Sequence, residues 1–248
     1  MKGILFILIF LSWSCTSQNI NDSIVLINVG TEGREKVAEL LNRISQHKPK
    51  VIAIDLQFSS EKNEEIDNKL VEALNRCENL VMVSVIENYS TQRISHDNFI
   101  LGCLPKFTTN AKMGFVNLIN EDDDYSSVKR FSLWEYVDGI EERSFALQIA
   151  FGYDKEQALR YKLEHNKIND VNFSKGLLEF KRYSIDDILS KNFQSDEIDG
   201  KILMIGFLGP GNLDRFYSPM NSDNHQPGEP NIYGLEFHAQ IVAQILQK

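Results

Sequence analysis

Four short apolar runs, at residues 24–29, 51–56, 80–86 and 201–206, do most to limit what this chain can fold into. Each is too short for a buried helix and is rich in Ile, Val and Leu, so each reads as an interior strand. An unbroken apolar run, in place of strict alternation, means that both faces of the strand are covered. The first run is followed by a turn at Gly30 and Gly33, then by Val37, Leu40, Leu41 and Ile44 at helical spacing. Pro49 stops that helix before the second run begins. Strand, helix and strand in roughly 35 residues make a βαβ unit, whose strands run parallel with a right-handed crossover. The expected class is α/β, a single domain with a mostly parallel central sheet and helices on both faces.

The alternation continues with a helix over 64–76, carrying Ile66, Leu70, Ala73 and Leu74 on one side. The middle of the chain is less regular. Residues 92–110 read as loop, 114–119 and 128–136 as extended, 144–152 as helix and 155–166 as a polar surface helix. A strand at 177–182 and a short helix at 184–190 precede the 201–206 strand. A loop rich in Gly, Pro and Asn then runs to about residue 233, and a helix over 236–247 closes the chain. No linker divides residues 23–248, so they are expected to form one domain, and 42% apolar residues suffice for its core.

The start of the chain speaks to location. Lys2, an apolar stretch from Ile4 to Leu11, and small residues ending at Cys15 are the parts of a bacterial export signal cleaved before a lipid-modified cysteine. The stretch is about half of the roughly 20 residues that span a bilayer, which disfavours a retained helix. Ser12 stands where an apolar residue is usual, so ordinary secretion stays open beside lipidation. The expectation is a signal peptide at 1–14, a lipidated Cys15 with a tether to residue 22, and a body in the cell envelope outside the cytoplasm.

A net charge of −9 argues against nucleic acid or an anionic membrane surface as the main partner, since both reward basic patches. Cys77 and Cys103 are the cysteines of the body. Export would permit them to pair, and two buried free thiols are the simpler expectation.

Several segments, in order, carry a resemblance. They are Pro49-Lys50-Val51-Ile52-Ala53-Ile54-Asp55-Leu56-Gln57-Phe58, Gly114-Phe115-Val116-Asn117 leading through Asp122-Asp123-Asp124 to Val128-Lys129-Arg130, and Ser144-Phe145-Ala146-Leu147. Ser184-Ile185-Asp186-Asp187-Ile188-Leu189, Asp199 to Gly206, and Gly234-Leu235-Glu236-Phe237-His238-Ala239 complete the set. Together they resemble the CHASE domain of the second type, a family of extracytoplasmic sensory modules of bacterial signalling proteins. The resemblance implies sensing without catalysis by the domain itself. Such modules usually continue into transmembrane helices and a cytoplasmic output module, whereas this chain ends at Lys248. The expectation is therefore a sensor that acts through an envelope or transmembrane partner.

Asp55 ends a strand at the carboxyl edge of a parallel sheet, where open α/β folds bind ligands. Asp214 follows the loop after the 201–206 strand and can reach the same edge. His238 falls in the first turn of the last helix, and Arg130 follows the acidic run Glu121-Asp122-Asp123-Asp124. Two acids with a His and an Arg could hold a small polar ligand or a metal ion. Equally, Asp55 could cap a turn, Arg130 could pair with an acid, and His238 could pack with its hydrogen bond satisfied. The acidic run lacks the alternating ligands and central Gly of a calcium loop. Residues 206–211 match neither phosphate-loop spacing, and no hydrolase motif is present. The chain is thus expected to bind an unknown small ligand at Asp55, Arg130, Asp214 and His238, with no catalytic residue, metal or cofactor. An envelope enzyme using the same edge, or a structural envelope lipoprotein, are the alternatives.

Overall fold

A computed structural model describes residues 19–97, 99–100, 102–119, 128–211, 213–220 and 229–247. The proposed signal peptide, Cys15 and the acidic run at 121–124 lie outside the described residues. The first half contains β1 (Ile24–Asn28), α1 (Arg34–Ile44), β2 (Val51–Ile54), α2 (Glu64–Asn75), β3 (Leu80–Ile86), β4 (Phe99–Ile100), α3 (Pro105–Thr108) and β5 (Lys112–Phe115). Then come β6 (Arg130–Ser132), β7 (Trp134–Val137), β8 (Ile140–Arg143), α4 (Phe145–Tyr153), α5 (Lys155–Glu164) and β9 (Ile168–Asp170). The last part holds β10 (Lys181–Ser184), α6 (Ile185–Leu189), β11 (Ile202–Gly206), β12 (Arg215–Phe216), β13 (Ile232–Tyr233) and α7 (Gly234–Leu246).

Six strands run parallel in the order β10, β1, β11, β2, β3, β5, and β4 adds antiparallel pairing at the end of β3. The four strands expected from their apolar runs therefore share one sheet. Alternation along each strand divides its side chains between two cores. Ile24, Leu26, Val51, Ala53, Ile202 and Met204 pack with α4, α5 and α7 on one face. Val25, Ile27, Ile52, Ile54, Leu203 and Ile205 pack with α1, α2 and α6 on the other. Covering both faces explains why the strands carry no polar alternation, and each fully buried aliphatic side chain contributes roughly 1.5–3 kcal/mol. α7 is apolar nearly all round because it is enclosed by the sheet, α4 and α5.

The 92–110 segment, expected as loop, contains β4 and the short α3. The strand expected at 177–182 forms instead at 181–184. It is an edge strand paired only with β1, so it can be polar, and the apolar pair Leu177 and Leu178 misplaces it. β8 was not expected, although Asp138-Gly139 signals its hairpin. Both turn residues have positive φ, 49° and 76°, the type I′ arrangement that matches strand twist. Within the 207–233 loop, β12 and β13 pair antiparallel, so this excursion closes at its base just before α7.

Candidate functional site at the carboxyl edge of the sheet

β11 lies between β1 and β2, so their carboxyl ends form one edge. The Asn28 side chain organises this edge. Its Oδ1 accepts from the backbone N–H groups of Gly30 and Leu208, both at 2.9 Å, tying the loops after β1 and β11 together. Asp55 follows β2 directly, and its backbone N–H donates to Ile205 O at 2.8 Å. The loop after β11 then brings Asp214 back to the same edge, held in the left-handed region at φ 55°.

Two glycines make room for this meeting. A Cβ on Gly206 would lie 3.3 Å from the Asp55 Cβ, and a Cβ on Gly234 would lie 2.8 and 2.9 Å from the Asp214 carboxylate oxygens. The Gly234 backbone N–H also donates to Asp214 O at 2.9 Å. Asp214 is exposed as a residue, yet its carboxylate packs down onto the start of α7, and that local loss of water pushes its pKa up to about 6. Burial, reinforced by repulsion from Asp214, pushes the half-buried Asp55 up to about 7. Among the described residues neither carboxylate receives a hydrogen bond or an ion pair. Near neutral pH this pair holds a proton, and its oxygens are open to a cation or to a donor group.

His238 stands four residues after Gly234, one turn or roughly 6 Å along the same face of α7. Its ring meets Phe145 edge-on, centroids 5.6 Å apart, and burial drives its pKa down to about 4, so the imidazole is neutral at pH 7. Its ring is thus packed among aromatic side chains, Phe145 and Phe237, in the core beneath the edge. Arg130, on β6, lies within electrostatic reach of Tyr89, where burial and the Glu135 charge push the phenol pKa up and the Arg130 charge partly offsets them. There Tyr89 Oη donates to the fully buried Glu135 at 3.2 Å, and Lys167 Nζ donates to the other carboxylate oxygen at 2.8 Å. Of the four expected residues, the structure thus brings Asp55 and Asp214 together, sets His238 one turn away, and sets Arg130 in the Tyr89 and Glu135 centre. The Glu135 and Lys167 pair and the role of Asn28 were not anticipated; a lone polar residue ending an apolar strand was the available signal for Asn28.

An open groove of about 340 Å³ lies along the same edge, lined in part by Asn28, Glu32, Asp186, Phe207, Pro210 and Leu213. Asp55, Asp214 and His238 are not among its lining residues, whereas Leu213, which precedes Asp214, is. Lys36 Nζ bridges Glu32 at 2.9 Å and Asp186 at 2.8 Å. Behind the edge, the Cys103 thiol accepts from the Phe58 N–H at 3.2 Å and so pins the segment that follows Asp55. Cys77 and Cys103 are both free thiols, and burial pushes Cys77 up to about 12. No group of three or more His, Cys, Asp or Glu suited to a metal ion occurs among the described residues.

A parallel sheet covered by helices on both faces defines the class, a single α/β domain. The particular family follows from sequence. The profile of the CHASE2 domain matches residues 18–248, and the chain belongs to this family of extracytoplasmic sensory domains. No curated protein and no solved structure matches the chain. No helix among the described residues is long and apolar enough to cross a membrane.

Proposed function

We propose that the chain is the ligand-receiving body of an envelope sensor, held to the membrane through lipidated Cys15, and that it detects a small organic ammonium ion at Asp55 and Asp214. One observation carries this reading: Asp55 and Asp214 come within electrostatic reach at the carboxyl edge with no counter-charge among the described residues, and burial, reinforced by repulsion from Asp214, raises the Asp55 pKa. Acids perturbed by burial and a like charge at such an edge are candidates for a functional site. An ammonium group supplies three donors and the missing positive charge, and the adjoining groove carries Glu32 and Asp186 beside apolar Phe207 and Leu213 to receive its body. Occupation would tie the end of β2 to the loop before α7, and a partner protein in the envelope would read the change. The domain performs no catalysis in this scheme.

Thermal shift of the full chain at pH 8 with ethanolamine, putrescine and calcium chloride tests it. At about 100 times its Kd, a ligand adds about 2.7 kcal/mol of stability. An amine should raise Tm in the wild type and not in Asp55→Asn, with the effect fading below about pH 6 as the pair protonates. A wild type indifferent to both amines, or a shift retained in Asp55→Asn, refutes the reading.

A further inference from the structure

The hairpin base that places Asp214 has a second side. β12 and β13, together with β10 and the first turns of α7, enclose a cavity of about 230 Å³ lined in part by Leu178, Arg182, Arg215, Ile232, Tyr233 and Glu236. In a chain of net charge −9, its charged lining is two arginines against one glutamate. The glutamate is already engaged: Glu236 pairs with Arg182 and accepts from the Tyr233 N–H at 3.0 Å. Arg215 is not. Its guanidinium lies over the Tyr233 ring, 5.1 Å from the centroid, and makes no hydrogen bond or ion pair among the described residues. Its Nε is buried without a partner.

A guanidinium has five N–H donors and no acceptor, and leaving one buried and unmet is costly. The aromatic face beneath satisfies charge but takes no hydrogen bond. The neighbouring polar groups are committed elsewhere. Asn231 bonds Ser218 and Met220, and Gln240 bonds Leu178 and Asn172.

We propose that this cavity is a second binding site, for a small organic anion whose carboxylate or phosphate is held by Arg215, with Arg182 as a further donor at its rim. The planar fork of Arg215 matches either head group through two parallel N–H bonds. Leu178, Ile232 and the Tyr233 ring would cover a short apolar body. Arg215 opens β12 directly after Asp214, which stands outside the strand at φ 55°.

Isothermal titration of the full chain at constant ionic strength with succinate, benzoate and inorganic phosphate provides the test. At least one should bind with a Kd below about 10 mM, and Arg215→Gln should weaken it about tenfold or more, a loss of 1.4 kcal/mol. Phosphate binding alone would identify a phosphate head group, and binding by either acid would identify a carboxylate. Asp55→Asn should leave this Kd within about twofold, which separates the anion site from the ammonium reading above. Should Arg215→Gln fail to fold, Arg215→Lys decides, since it keeps the charge and loses the fork. No binding by the wild type, or unchanged affinity in whichever of these variants folds, overturns the proposal.

Discussion

Replacing Asp55 with Asn should make the protein more stable at alkaline pH and leave it unchanged in acid. In the folded chain the Asp55 pKa stands at about 7, against an ordinary value of 3.8. Between these values the folded state keeps a proton that the unfolded state has released. The Asp55 contribution to stability is therefore highest below about pH 4, falls as pH rises through the window, and is fully lost above about pH 7. At about 1.36 kcal/mol per unit, the roughly three-unit difference sets a ceiling of about 4 kcal/mol on the cost of ionising Asp55. Exposed Asp214 adds less, because solvent screens its charge. Asn is close in shape and cannot ionise. The variant should gain up to about 4 kcal/mol at pH 8, or several degrees of Tm at roughly 2–4 °C per kcal/mol, and differ from wild type by less than about 0.5 kcal/mol at pH 4. Urea unfolding followed by circular dichroism across pH 4–8 measures both limits. A variant that is less stable than wild type at pH 8, or whose difference does not vary with pH, would refute the account of an unpaired, repelled carboxylate.

Arg34→Met should lower Tm, because it removes the partner of buried Asp67, bonded at 2.5 Å, and the cation stacked over Phe107 and Phe58. The Asp67 pKa is held down to about 2 by Arg34, Lys106 and the Lys62 N–H, so its contribution is present above about pH 4 and lost as pH falls toward 2. The variant should accordingly show a weaker acid limb in its stability profile; an unchanged limb would place the origin of acid sensitivity elsewhere. Cells fed a clickable fatty acid should label the wild type and not Cys15→Ala, and the variant should leave the membrane fraction. Equal labelling of the two would remove the lipid tether, whose durability needs more than one acyl chain.

Much of the architecture is local and was legible in the order of residues. Ile24 to Asn28, Val51 to Ile54 and Ile202 to Gly206 announce buried strands because only strands covered on both faces carry such runs. Val37, Leu40, Leu41 and Ile44 announce α1 because 3.6-residue spacing puts them on one face. The family resemblance, carried on short segments spread from Pro49 to Ala239, was legible too, and the profile match confirms it. Segments whose form depends on a distant partner were not legible, as with edge strand β10, which takes its place from pairing with β1.

The site divides in the same way. The sequence alone determined that Asp55 ends a strand and that Asp214 sits in a Gly-rich loop, which makes each a candidate. Only the tertiary structure decided that the two meet. That meeting requires β11 to insert between β1 and β2, with Gly206 and Gly234 leaving room where a Cβ would crowd Asp55 and force the Asp214 carboxylate to shift. It also set Arg215, the next residue, over the Tyr233 ring at a cavity whose lining includes neither Asp55 nor Asp214. Local periodicity records which face a residue occupies, while the closing of a loop some 160 residues long is settled by packing energy summed over the whole sheet, which no single stretch of sequence carries.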